Sequence, residues 1–150
     1  MTTSKLGLAQ DKLKELLAGR AGLAGVKVDL GEPGVFESEH LWVDDRVENW
    51  TQSWAESGPL TGADAAEREE HFTLRVHAQK SLLGDNFAKA RDRVLVIVAE
   101  VEKLMRENER LDATLFSSEW SAGGIARGKT QDQTIVGAVI EISCVVYLGG

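Results

Sequence analysis

Asp85-Asn86-Phe87-Ala88-Lys89-Ala90-Arg91-Asp92-Arg93-Val94-Leu95-Val96-Ile97-Val98-Ala99-Glu100-Val101-Glu102-Lys103-Leu104-Met105-Arg106-Glu107-Asn108-Glu109-Arg110-Leu111 is the stretch whose reading decides the fold. Phe87, Ala90, Val94, Val98, Val101 and Met105 return at helical spacing and make one apolar stripe. Glu102 stands four before Arg106, and Lys103 four before Glu107, so the outer side carries i,i+4 charge pairs. Asp85, just after Gly84, has the chemistry of an N-cap. A short buried strand is the competing reading of the β-branched middle. The flanking Ala, Lys, Arg and Glu decide for one long helix over Asp85–Leu111. Val94–Ala99 is apolar almost all round, which predicts burial on two sides. One side faces the protein's own sheet, so Val96 and Ile97 are expected at a subunit contact.

Working outward, Leu6, Ala9, Leu13, Leu16 and Leu17 form the stripe of a first helix over Ser4–Ala18, with Ser4 as its cap. Val26–Leu30, His40–Asp44 and Val47–Ala55 read as short strands, with a turn at Gly31-Glu32-Pro33-Gly34. Glu56–Ala66 has the composition of an exposed loop. Arg68–Gln79 alternates most clearly: Phe72, Leu74, Val76 and Ala78 point one way, His71, Thr73, Arg75 and His77 the other. One wet face implies antiparallel pairing. After the helix, Thr114–Ala122 is expected to be a strand, Gly123–Gln133 a glycine-bearing loop, and Thr134–Leu148 a long final strand. The core face of that last strand is Val136, Ala138, Ile140, Ile142, Cys144, Val146 and Leu148. Its other face, with Ile135, Val139, Val145 and Tyr147, is half apolar too. The predicted fold is α+β: a mainly antiparallel sheet with two helices packed on one side, in a single domain spanning 1–150.

The totals agree with a globular chain. Of 150 residues, 43% are hydrophobic and 27% charged. A net charge of −7 and a pI near 5.0 argue against nucleic-acid binding through a basic face. A lone cysteine, Cys144, fits folding in a reducing cytoplasm. Neither a signal core nor a membrane-spanning run is read, so the chain is expected to be made in the cytoplasm without membrane contact.

The motifs that invite chemistry do not hold up. Gly123-Gly124-Ile125-Ala126-Arg127-Gly128-Lys129-Thr130 satisfies the G-x-x-x-x-G-K-[ST] pattern, whose amides cradle phosphates when a helix comes next. Here Gln131–Ile142 reads as strand, so a loop between antiparallel strands is preferred, and a nucleotide-binding domain using Gly128-Lys129-Thr130 is the alternative from another class. His71 and His77 share a face, but six residues at ~3.3 Å each is too far for one metal ion. Glu67, Glu69, Glu70, Asp44 and Asp45 read as a solvated acidic face rather than as paired catalytic acids. No catalytic, cofactor or metal residue is therefore assigned, and no enzyme activity is expected. Four tryptophans are many for a chain with one tyrosine. Trp50, Trp54 and Trp120 are the candidates for partner anchors. The basic pair Arg127 and Lys129 in the glycine-bearing loop is expected to be mobile and to order against an acidic partner.

Four stretches in order carry a resemblance. They are Leu13–Arg20 with Leu23–Val28; Glu32-Pro33-Gly34 followed by Leu41-Trp42-Val43; Arg68–Val76; and Ala88–Leu95 running through Val101–Arg106 into the terminal strand. Taken together the chain resembles the tail terminator (tail completion) proteins of long-tailed double-stranded DNA bacteriophages, of the lambda-like type. Many relatives place a proline soon after the long helix, where this chain has Asn108-Glu109-Arg110. The resemblance implies a structural virion protein of the tail neck, assembled in the host cytoplasm. Its implied partners are copies of itself in a hexameric ring, the tail tube protein, and the head–tail connector or stopper. DNA would pass the ring without specific binding, and acidic walls suit that. A connector or stopper of the same neck region is the nearest alternative, and a monomeric α+β binding domain the third.

Overall fold

The alternation of Phe72, Leu74, Val76 and Ala78 becomes the spine of a sheet in the computed structural model, which describes residues 4–55, 67–130 and 132–148. The elements are α1 (Leu6–Ala18), a 3-10 turn (Ala21–Leu23), β1 (Lys27–Leu30), β2 (Glu39–Val43), β3 (Thr51–Ala55), β4 (Glu67–Leu83), α2 (Phe87–Glu107), β5 (Ser117–Lys129) and β6 (Gln133–Leu148). The fold is α+β, as the pattern predicts. Strands run in the order β1-β2-β4-β6-β5, and β3 lies beside the first half of β4. All pairs are antiparallel except β1 with β2. The expected loop at 56–66 lies outside the described residues.

Both helices cover one face of this sheet. From α1 come Ala9, Leu13 and Leu17; from α2, Ala90, Val94, Ile97, Val98, Val101, Leu104 and Met105. They meet Leu41 and Val43 of β2, Phe72, Leu74, Val76 and Ala78 of β4, and the even-numbered residues from Val136 to Leu148 of β6. The core faces expected for β4 and β6 are therefore the observed ones. Ion pairs brace the layers: Arg93 of α2 grips Glu39 of β2 through two 2.8 Å contacts, with Lys80 joining at 3.1 Å. Arg20, after α1, reaches Glu100 at 3.3 Å and also Glu107.

Three expectations need correction. The long helix begins at Phe87 after Asn86, and Asp85 does not cap it. Asn86 instead donates its amide to the Leu83 carbonyl at 2.6 Å, and Asp85 holds Arg127 at 2.5 Å. The helix also ends at Glu107, short of Leu111. Asn108 donates its side-chain amide to the Leu104 carbonyl, and Leu111, Asp112 and Ala113 come next in left-handed conformations at φ 43°, 56° and 66°. That turn drops Leu111 and Leu115 into the core, and their burial offsets the backbone strain.

The third correction concerns the expected loop over Gly123–Gln133, most of which is strand. β5 runs to Lys129, with a bulge between Gly123 and Ala126 where Gly124 takes φ 66°. Ladder pairing resumes at Ala126↔Gly137 and continues to Lys129↔Thr134. The glycines fold the strand over the bulge rather than release it, because β6 extends far enough to pair with Ala126–Lys129 beyond them.

Candidate functional site

No group of His, Cys, Asp and Glu placed to hold a metal occurs among the described residues. The candidate functional surface is therefore assembled from the residues that the sequence singled out as contacts. Ile97 leaves that set: it is fully buried against the sheet and is core. Its neighbour Val96 is 50% exposed, with Leu95 beside it at 45%. The reason is helical phase. One residue further along rotates a side chain by about 100°, and Ile97 lines up with Ala90, Val94 and Val101 while Val96 does not.

The tryptophans take four different places. Trp42 is buried and stacks on His77, ring centroids 5.0 Å apart and 13° from parallel. Trp54 on β3 is 67% exposed. Trp50 is exposed on one side and donates its indole N–H to Glu70 at 2.8 Å. Trp120 packs half-buried against the core, with its indole N–H buried and without an acceptor among the described residues. An orphaned buried donor of this kind costs about 1–3 kcal/mol. Beside it runs a shallow groove between α2 and β5, lined by Met105, Arg106, Glu109, Ser118 and Trp120.

The basic pair is divided. Arg127 lies over the Phe87 ring, 5.1 Å from its centroid, and pairs with Asp85, so it fastens β5 to the start of α2. Where a basic loop was expected, Arg127 thus stands in a strand and pairs within its own subunit. Lys129 is exposed at the end of β5. The phosphate-loop reading fares no better in geometry. Its residues lie in β5, and β6 comes directly after, where a helix N-terminus would be needed.

Glu70 is not part of a solvated acidic face. It sits fully buried at the head of β4's core side. Its oxygens accept from the Lys5 backbone N–H at 2.9 Å, Trp50 at 2.8 Å and Gln52 at 2.9 Å. Burial pushes this carboxyl up, but hydrogen bonds from Ser4, Gln52, Lys5 and Trp50 outweigh it and hold it below its ordinary 4.5. Glu70 thereby caps α1 from a distance, through the N–H of Lys5; Lys5, not the expected Ser4, is the residue at the helix start, and the Ser4 hydroxyl accepts the Leu6 N–H from one position further out. The alternation Glu70-Phe72-Leu74 carried this signal, since it places Glu70 on the buried side.

Neither family models nor curated proteins match this chain. The site is thus read on its own chemistry. A second buried polar residue escaped the sequence reading: His40, which accepts the Glu37 N–H at Nδ1 and meets the partly exposed Asp29 at 2.6 Å through Nε2. Nothing in residue spacing announced it, because Asp29 arrives from the adjoining parallel strand. Phe36 edges onto both His40 and Trp42, at 5.8 and 5.3 Å, and closes this corner. The Glu37 amide holds Nδ1 unprotonated, leaving Nε2 to donate to Asp29. Cys144 is buried, and burial pushes its thiol up to about 12, so it is no nucleophile near neutral pH.

Proposed function

We propose that this chain is a structural subunit of a phage tail neck, of the tail-terminator kind: a ring that caps the head-proximal end of the tail tube, ends its growth and offers the surface for head joining. The observation that carries the reading is the outward side of α2, where Leu95 and Val96 stand exposed in the middle of a helix already packed by its other side. A helix paired only with its own sheet has no use for that patch, whereas an assembling subunit does. The exposed Trp54 supports the same reading, and the acidic charge of −7 suits a bore that lets DNA slide.

In this reading the partners are copies of the chain, forming a hexamer, with the tail tube protein on one side and the connector or stopper on the other. A connector or stopper role is the second reading within the same class. The test is tube length. Purified protein added to polymerising tail tubes should arrest growth and appear by electron microscopy as a ring at one end. Unchanged tube lengths and bare ends would count against the terminator role. ATP and GTP dialysis addresses the nucleotide alternative: binding lost in Lys129→Ala would favour it.

A further inference from the structure

We propose that the free chain forms a closed two-fold pair through the outer side of α2, the helix packing antiparallel on its own copy with Asp92 against Lys103 at both ends of the contact. The inference goes beyond the ring reading and concerns the state before a ring. The patch that an assembling subunit needs is covered by a second copy until it is used.

Helical phase lays out the surface. At about 100° per residue, Asp92, Ala99 and Lys103 fall opposite the buried line of Ala90, Val94 and Val101, and all three are exposed. Leu95 stands on one flank of that outer line and Val96 on the other, both exposed. The line is therefore small in its middle and charged toward its ends, with an apolar side chain to either side. An alanine at the centre lets another helix approach toward the short end of the roughly 8–10 Å usual between packed axes.

The order of charges selects a second copy of α2 as the occupant. Asp92 lies four positions before Val96, and Lys103 four after Ala99. An antiparallel copy that sets its Ala99 on Val96 therefore sets its Lys103 on Asp92, and the two-fold axis repeats the contact at the other end. In the same register Lys89 comes within one position of Glu107 of the second copy, on the flank of Val96. A parallel pair in register would instead oppose Asp92 to Asp92 and Lys103 to Lys103. Both groups are within reach of a newcomer, because their present contacts are local and exposed: Asp92 with the adjoining Arg91 at 3.0 Å, Lys103 with Glu100 at 3.3 Å. The axis also brings each flank to its like. The two Val96 side chains meet on one side, offset by ~4.5 Å along the axes, and the two Leu95 side chains line the other. A pair closed in this way has no open end, so a ring would begin with its opening. The contact is one helix wide, which suits a pair that opens.

The test is a charge exchange in the full chain. Sedimentation equilibrium of the unchanged protein, free of tail tubes, should show monomer and dimer and nothing larger. Asp92→Lys and Lys103→Glu should each raise the dimer dissociation constant on the order of tenfold or more, because like charges then meet twice. Combining Asp92→Lys with Lys103→Glu in one chain should restore the pair. Both positions are exposed, so the melting temperature of the dilute monomer should not move in any of the three variants. Dimers that ignore the single changes, or that the combined variant does not restore, overturn the contact. A chain monomeric at every concentration overturns it outright. Passage straight to larger assemblies overturns it too and leaves the ring reading standing. A dimer that follows the charge exchange in a protein that never caps tubes keeps the pair and removes the tail reading.

Discussion

Ile97 and Val96 are neighbours of nearly the same size and chemistry, yet one is fully buried and the other half exposed. The inner side of α2 is fixed by Ala90, Val94, Ile97, Val101 and Leu104 against β4 and β6, while the outer side leaves Leu95 and Val96 uncovered. The difference teaches that an all-apolar helix middle contains two surfaces with separate purposes. The inner one holds the fold, and the outer one is free to hold something else.

The sharpest way to break the contrast is from the inside. Ile97→Ala removes buried volume from a packed site and should cost about 2–5 kcal/mol, read as a lowered denaturant midpoint. A cost under about half a kcal/mol would mean that the inner side is not core. Glu70→Ala should rank next, at about 1–3 kcal/mol, because the Lys5, Trp50 and Gln52 donors lose their acceptor. If α1 keeps full hydrogen-exchange protection in this variant, the distant cap is not what holds it.

Acid should act through the same group. Burial raises Glu70 and its hydrogen-bond donors lower it, with a net depression. Glu39 is held down by its Arg93 hydrogen bonds first, against burial, with Lys80 helping. Carboxyls whose folded values lie below their unfolded ones stabilise the fold above the unfolded value, and that contribution goes as pH falls through the folded value. Stability should therefore be level from about pH 6 to 8 and decline below ~4.5. The decline should be smaller in Glu70→Gln, and an identical acid profile in that variant would remove Glu70 from the account.

The gentler tests sharpen the outer side. Arg127→Ala cuts an exposed clasp to Asp85 and Phe87, and should lower stability by no more than about 1 kcal/mol. Val96→Glu should change stability least, within about 0.5 kcal/mol, because the side chain already meets water. Sedimentation should nonetheless show that it no longer assembles. Outright unfolding of Val96→Glu would assign Val96 to the core after all and merge the two sides into one.

Much of this architecture was legible along the chain because burial period is a local property of the backbone. The alternation of Phe72, Leu74, Val76 and Ala78, and of Val136 through Leu148, named the buried faces of β4 and β6 correctly. The stripe from Phe87 to Met105 likewise placed α2 on the sheet. Even the burial of Glu70 lay in that alternation, though its acidity argued for solvent. What the residues could not state was company. Glu70 meets the Lys5 amide across 65 positions, and Asp29 finds His40 through a strand pairing that no spacing encodes. The continuation of β5 past its glycines depended on β6 being long enough to pair with it. The phase that buried Ile97 and left Val96 outside was set by where β4 and β6 stand. Sequence determines which periodicities a segment can satisfy, while the choice among partners and phases is made by contacts between residues far apart in the chain, and only the assembled tertiary structure contains them.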